Sequence, residues 1–107
     1  MSLDVTLMVP MPTEVYSANI THNLGQMAEE AGIYMHLWRP DEIGITKAGE
    51  LVEPLRAGLQ RLEREPDRFK ALTPANGWGA YAFLVMFVEG YIKACEANPH
   101  ADVSVSR

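Results

Sequence analysis

The sequence predicts a mainly helical α+β domain with the order β-α-α-α-β, in which the two terminal strands pair in one small sheet packed against the helices. Three observations support this prediction. Apolar and polar residues alternate near both ends of the chain, which is the period of a half-buried strand. Between them, apolar residues recur every three or four positions, as on one face of a helix. Because two strands alone are marginally stable, we expect helices to cover them.

The composition indicates one globular domain over residues 1–107, with 48% apolar and 21% charged residues. The net charge of −5 disfavours binding to nucleic acid or to an anionic membrane surface, so we expect neither partner. Cys95 is the only cysteine, which excludes an intrachain disulfide and favours the cytoplasm. The N-terminus lacks the basic region of a signal peptide. The longest apolar run, residues 80–88, is too short to span a membrane.

The first strand and the first helix are predicted from a change of period. Alternation over residues 3–9 indicates a strand that ends at Pro10. The next apolar residues follow helical spacing: Ile20, Leu24, Met27, Ala28 and Ala31. Ser17 is the preferred N-cap, because Ile20 then joins this stripe, and Thr21 is a second possible cap that would leave residues 16–19 extended. Gly32 suits the left-handed residue that ends the helix.

The middle of the chain predicts a short helical turn over residues 33–39, stopped by Pro40, and then a loop. Thr46 can cap the second long helix. Its apolar stripe consists of Ala48, Leu51, Val52, Leu55, Leu59 and Leu62. Pro54 lies inside this stripe, so either one helix bends there or a new helix begins with Pro54 in its first turn. The unbroken phase favours one bent helix.

The last helix is predicted from about Trp78 to Ala97, followed by a short strand around Val103 and Val105. Its main apolar stripe consists of Leu84, Phe87, Val88, Tyr91, Ile92 and Cys95. Phe83 and Met86 lie outside that stripe. A helix that is apolar around most of its circumference is central or contacts a partner, so these two residues are interface candidates.

The stretch "NITHN" over residues 19–23 is the first candidate for a binding site. On a helical wheel, Asn19 and Asn23 border the apolar stripe, and His22 points almost opposite to it. Such a polar band can form a hydrogen-bonded site with a neighbouring element. The alternative is that His22 is an ordinary solvated residue and that Asn23 bonds a nearby loop.

The stretch "ANGWGAY" over residues 75–81 is the second candidate. Asn76 and Gly77 are typical of a turn, and glycines flank Trp78 at the start of an apolar helix. A glycine-rich helix start can hold an anion, but this one lacks the length and lysine of a phosphate loop. The alternative is that Asn76 caps the helix and Trp78 fills the edge of the core. Trp38 beside Arg39 indicates either a cation–π pair or a loop anchor.

No catalytic or metal site is predicted. His22, His36 and His100 have no paired ligand spacing, and Cys95 lies on an apolar stripe where a thiol is normally inert. No nucleophile-elbow motif occurs, and paired carboxylates are adjacent in sequence and therefore diverge. The prediction includes no catalytic residues, no metal and no cofactor.

Taken together, "NITHN", "LWRP", "NGWG" and the ending "VSVSR" resemble a group of short uncharacterised proteins encoded by bacteria and their phages. The resemblance covers most of the chain, from about Val15 to Arg107. It carries no established activity, and it implies a stand-alone cytoplasmic protein of phage or mobile-element origin. The residues in these words form the candidate functional surface: Asn19, Thr21, His22, Asn23, Trp38, Asn76, Trp78 and Arg107.

Two functional hypotheses follow. The first is a non-enzymatic interaction module that forms a homodimer or binds another protein, with Phe83 and Met86 at the interface. The second is a protein that binds a small molecule or nucleotide, or a weak enzyme, with its site between residues 19–23 and residues 76–79. The second hypothesis requires His22, Asn23 and Trp78 to meet in one pocket.

Overall fold

The computed structural model describes residues 2–9, 13–72 and 80–107, and in it a three-stranded sheet is packed against helices. The strands are β1 (Ser2–Val9), β2 (Thr13–Thr21) and β3 (Asp102–Ser106). The helices are α1 (Gly25–Glu30), α2 (Tyr34–Trp38), α3 (Val52–Arg64), α4 (Pro66–Lys70) and α5 (Ala80–Ala97). Short 3-10 turns occupy His22–Leu24, Pro40–Ile43 and Ala48–Leu51. The predicted α+β class and the pairing of the terminal strands are confirmed.

The sheet has the order β2-β1-β3 and is antiparallel throughout. Leu3, Val5 and Leu7 of β1 are fully buried, and their partners across the ladders lie on the same face, towards the helices. The other face carries mainly polar residues. On it, Thr6 pairs with Ser17 on one side and with Ser104 on the other. This alternation is the pattern of a sheet with one buried and one solvated face.

β2 is a strand that the sequence did not predict, and the preferred helix start at Ser17 is wrong. Ser17 pairs with Thr6 in the β1–β2 ladder. Thr21 is the N-cap instead, because its hydroxyl accepts the Asn23 N–H at 3.3 Å. Ile20 occupies an apolar position in both the strand pattern and the helical pattern. It therefore fitted the helical stripe, although it belongs to the strand. Pairing with β1 decided between the two periods.

The predicted end of the first helix at Gly32 is confirmed. Gly32 has a φ of +79°, which residues with a Cβ rarely adopt. The Gly32 N–H donates to Glu29 O at 2.9 Å, and the Ile33 N–H donates to Ala28 O at 2.9 Å. These two bonds are the Schellman arrangement, which satisfies carbonyls at the end of a helix.

The second long helix begins differently from the favoured prediction. A 3-10 turn leads directly into α3, and Pro54 is its third residue, where no backbone N–H is needed. Pro54 therefore lies in the first turn of a new α-helix, as in the second alternative. Glu50, rather than Thr46, provides the cap, because its carboxylate accepts the Lys47 N–H at 3.0 Å. This bond and a second one from the Thr46 N–H at 3.3 Å lower the pKa of Glu50.

α3 and α5 pack against each other and against the rest of the core. Gly58 permits the close approach of α3 to the chain that follows α1, since a Cβ there would clash with Ile33 Cγ2. Arg61 of α3 donates to Ala31 O at 2.6 Å, and Tyr81 of α5 donates to Leu62 O at 2.6 Å. The two helices are thus held by apolar packing and by side chains that satisfy helix-end carbonyls.

The outer side of β3 is bonded at its start by residues 46–48, just before α3. Val103 N–H donates to Thr46 O at 2.9 Å, and Ala48 N–H donates to Ala101 O at 2.9 Å. The Lys47 ammonium and the Asp102 carboxylate form an ion pair over this junction. The β3 edge therefore meets its own chain.

Candidate functional site

An apolar groove lies between β2 and the first turns of α5. Its volume is about 430 Å³. Nine described residues line it: Tyr16, Ala18, Asn19, Ile20, Thr21, Leu24, Phe83, Met86 and Phe87. The groove thus combines Asn19 and Thr21, two residues of the candidate functional surface, with both interface candidates on α5.

The groove follows from two periodicities. Alternation along β2 places Tyr16, Ala18 and Ile20 on the face that is directed towards the helices. Residues 83, 86 and 87 of α5 share one helical face because they are spaced by three and four positions. Phe87 is buried, whereas Phe83 and Met86 are 59% and 67% exposed. The α5 side of the groove therefore presents two large apolar side chains to solvent.

A cluster of buried aromatic and thiol groups lies next to the groove. Tyr16 stacks on Tyr91 with ring centroids 5.9 Å apart, and Phe87 lies 6.0 Å from Tyr91. Burial raises the pKa of Tyr16 and Tyr91. Burial also raises the pKa of Cys95 to about 12. The thiol therefore stays protonated at neutral pH and is unsuited to act as a nucleophile.

A second group of candidate residues surrounds Trp38. Trp38 is buried and stacks on Tyr34 at 5.3 Å, and the His22 ring meets its edge at 6.1 Å. Arg107 donates to Trp38 O at 2.8 Å and approaches Asp41 at 3.2 Å. The structure thus brings together His22, Trp38 and Arg107, which are far apart in sequence.

The expectation for His22 was wrong in its geometry. His22 was placed opposite the apolar stripe, but it is half-buried against Trp38, because the chain is a 3-10 turn here and the helical wheel does not apply. Its Nε2 is buried without a hydrogen-bond partner among the described residues. Of the two alternatives for Arg39, the structure favours the loop anchor, since Arg39 bonds Glu42 of the following turn at 2.7 Å.

The two asparagines do not border a buried helical stripe. Asn19 borders the groove, but the strand alternation places its side chain on the solvated face of the sheet, where its amide donates to Ser2 Oγ at 3.4 Å. Asn23 is exposed, and its backbone N–H is bonded to Thr21 Oγ1. Neither asparagine is part of an α-helix, since Asn19 belongs to β2 and Asn23 to the 3-10 turn that begins at His22. Asn76 and Trp78 lie outside the described residues, so the predicted meeting of residues 19–23 with residues 76–79 stays a prediction.

Tyr16 and Ala18 are groove residues that the sequence reasoning missed. Their signal was present, because Tyr16, Ala18 and Ile20 alternate with polar residues in the period of a strand. The helical stripe that begins at Ile20 was given priority over this alternation. As a result, the groove wall was assigned to the wrong element.

Other kinds of site find little support in the described parts of the chain. Over residues 2–9, 13–72 and 80–107, no three His, Cys, Asp or Glu side chains cluster as metal ligands would. No helix within these ranges combines the length and apolar character that crossing a membrane requires. Comparison of the chain with family models, curated proteins and solved structures found no match.

Proposed function

We propose that this protein is a non-enzymatic module that associates with itself through the face formed by Phe83, Met86 and the adjoining groove. The observation that carries the proposal is the exposure of two large apolar side chains, 59% and 67%, side by side on one helix. They line an apolar groove rather than standing alone on a polar surface. Contiguous apolar surface of this kind is typical of interfaces.

The energetics favour covering this face. Full burial of a Phe or Met side chain stabilises by roughly 1.5–3 kcal/mol, so the exposed parts of Phe83 and Met86 represent about 1–2 kcal/mol each. In a symmetric dimer, each contribution occurs twice. The gain of about 4–8 kcal/mol is similar to the lower part of the range of roughly 4–15 kcal/mol that association costs, so these side chains favour a reversible association and do not supply a tight one.

The chemistry of the groove supports binding rather than catalysis. None of the described residues that line it is charged. The nearby Cys95 is buried and protonated, because its pKa is raised to about 12. The groove therefore offers apolar contact and few polar groups, as the centre of a protein interface does.

Sedimentation velocity over a concentration series from low micromolar to millimolar tests the proposal. The native chain is expected to shift from monomer towards dimer, and a double variant, Phe83→Asp with Met86→Asp, is expected to stay monomeric. Ile43→Asp is the matched control, since Ile43 is another large apolar side chain, 42% exposed, outside this groove. A native chain that is monomeric at every concentration would overturn the proposal.

A small apolar molecule is the second candidate ligand. The groove volume of about 430 Å³ falls in the range of roughly 300–1,000 Å³ that is typical of ligand pockets. A nucleotide fits less well, because no described lining residue is basic and phosphates need positive charge or directed N–H groups. Thermal-shift measurements with apolar compounds and with nucleotides distinguish the two ligand classes. Ala18→Phe, which fills the groove, is expected to abolish any stabilisation by an apolar compound.

The cellular setting is part of the same proposal. The resemblance of "NITHN", "LWRP" and "NGWG" to short bacterial and phage proteins supports a phage or mobile-element origin. The single buried cysteine supports a cytoplasmic location. Fractionation of cells that produce the tagged chain is the direct measurement, and recovery outside the cytoplasm would contradict this part.

A further inference from the structure

We propose that β2 pairs edge to edge with β2 of a second copy, antiparallel and around a two-fold axis, to give one continuous six-stranded sheet. This inference rests on the proposed function, because it names the partner and the geometry of the self-association. It follows from the difference between the two edges of the sheet, from the composition of β2 and from the position of the groove.

β2 is an edge strand whose outer side has no described partner. Within residues 2–9, 13–72 and 80–107, the backbone of β2 pairs with β1 alone. β3, the opposite edge, is bonded at its start by residues 46–48 of its own chain, through Val103 and the Lys47–Asp102 bridge. An edge strand presents a row of N–H and C=O groups that can pair with another strand.

β2 also lacks most of the devices by which proteins protect an edge. Natural edges are blunted by lysine, by proline, by charged side chains or by being very short. β2 has nine residues and carries one charged side chain, Glu14, near its start. In a two-fold interface the strand pairs with its own copy, so like charges would meet. A strand with so little charge meets little such repulsion.

The two-fold geometry brings the apolar faces together. When identical edge strands pair antiparallel, the axis is perpendicular to the sheet, so both copies keep their helices on the same side. α5 lies on that side and forms the groove with β2. Phe83 and Met86 of each copy would therefore lie beside the new strand pair and face the other copy. One arrangement then pairs the backbone N–H and C=O groups of the β2 edge and also buries the exposed apolar face.

The size of the contact indicates how strong the dimer is. A strand of nine residues is about 30 Å long. A strip of that length and roughly 15 Å wide, which spans the strand edge and the side of the adjoining helix, covers about 450 Å² per copy. The total of about 900 Å² lies just below the limit of roughly 1,000 Å² for a stable interface. We therefore expect a reversible dimer rather than an obligate one.

Hydrogen exchange at protein concentrations below and above the dimer midpoint tests the strand pairing. Amides of residues 13–21 are expected to exchange at least several-fold more slowly in the dimer, whereas amides of residues 102–106 are expected to keep the same rate. Slower exchange confined to α5 would overturn edge pairing. Strong protection of β2 in the monomer would also overturn it, since the edge would then already be paired.

Ser17→Lys and Ser104→Lys form a matched pair of variants. Both residues are exposed, lie on the same face and pair with Thr6, but Ser17 is on β2 and Ser104 is on β3. Ser17 lies near the middle of β2, close to its symmetry mate in the proposed dimer, so a lysine there would bring two like charges together. Ser17→Lys is therefore expected to weaken dimerisation at least tenfold. Ser104→Lys is expected to leave it unchanged, with the same thermal midpoint for both variants at concentrations where the protein is monomeric.

The outcomes separate this inference from the proposed function. A dimer that Phe83→Asp with Met86→Asp abolishes, but that Ser17→Lys leaves intact, overturns the strand pairing and leaves self-association standing. A chain that is monomeric at all concentrations overturns self-association itself. If such a monomer gains β2 protection from an added synthetic peptide with the sequence of residues 13–21, the edge accepts a peptide strand, and the second copy is overturned as its partner.

Discussion

The two edges of the sheet share the same central strand and yet end in different surroundings. At β3, Thr46 accepts a backbone hydrogen bond from Val103, and Lys47 pairs with Asp102. At β2, the described backbone makes no pairing beyond β1, and the strand instead borders an apolar groove. Within the described residues, the chain thus bonds the start of one edge itself, whereas the other edge lies beside the exposed side chains of Phe83 and Met86.

This difference arises from the path of the chain rather than from the strands themselves. β3 follows α5, and the segment just before α3, which packs on α5, bonds the start of β3. β2 is joined to β1 directly before it in the sequence and is followed by a 3-10 turn that leads away into α1. In proteins generally, a strand edge without a covering segment is a position that can accept a further strand.

Removal of a buried side chain from the central strand β1 is expected to have the largest effect, because both edge strands pack against it. Leu7→Ala removes a fully buried side chain whose neighbours across the ladders are Tyr16 of β2 and Val103 of β3. We expect unfolding to cost about 2–5 kcal/mol less than in the native chain, from lost burial and a new cavity. Urea denaturation measures this change. Thr6→Ala, on the other face of β1, is the control and is expected to cost far less.

Alkaline pH is expected to weaken the β2 side of the core. Because the pKa of Cys95 rises from 9.0 to about 12 on folding, the unfolded chain loses this proton first. Stability from the neutral thiol is therefore full below about pH 9 and is lost towards about pH 12, by a few kcal/mol at most, since one pKa unit equals about 1.4 kcal/mol.

Cys95→Ala isolates the thiol contribution from that of Tyr91, whose pKa burial also raises. The difference in unfolding free energy between the native chain and the variant is expected to be constant below about pH 9 and to shrink above it. Equilibrium denaturation at a series of pH values measures this difference. A pH-independent difference would contradict the burial of a neutral thiol.

The Arg107 contact at the β3 edge is expected to have a smaller effect. Arg107→Ala removes the 2.8 Å hydrogen bond to Trp38 O and the contact with Asp41. We expect a loss of about 1 kcal/mol, typical of one hydrogen bond, and faster amide exchange in β3 than in β2. Arg107→Lys keeps the charge but has a different donor geometry. Its unfolding free energy is expected to lie between those of the native chain and Arg107→Ala. Faster exchange in β2 alone would contradict this assignment.

The Lys47–Asp102 ion pair is expected to contribute least. Both side chains are about half exposed, so solvent screens their attraction. Lys47→Ala is expected to change the unfolding free energy by no more than about 0.5 kcal/mol, with the backbone bonds around it kept. Thermal denaturation at low and high salt measures it, and a loss well above about 1 kcal/mol would show that the pair itself closes the β3 edge.

Local signals were sufficient for several elements. The left-handed Gly32, the short helix before Pro40 and the strand at the C-terminus were predicted correctly, because each depends on neighbouring residues. The strand β2 was not predicted, because Ile20 satisfies both the strand period and the helical period. Pro54 was likewise ambiguous until the 3-10 turn before it was known.

The candidate site shows the same division. The exposure of Phe83 and Met86 was expected from their position outside the main stripe of α5, and the structure shows both residues exposed. Tyr16 and Ala18 were missed, since they enter the groove only through the pairing of β2 with β1. The contact of His22 and Arg107 with Trp38 also depends on tertiary structure, as these residues are separated by long stretches of chain.

By itself, the sequence determined the mainly helical α+β class, the apolar face of most elements and the excess of apolar residues on α5. These properties depend on the spacing of apolar residues and on local backbone preferences, which neighbouring positions encode. The tertiary structure alone decided that residues 13–21 are a strand. It also decided that residues 46–48 bond the start of β3, that no described segment bonds the outer side of β2, and that a groove forms beside β2. These features depend on pairing and packing between distant segments, whose energy exceeds the small difference between competing local conformations.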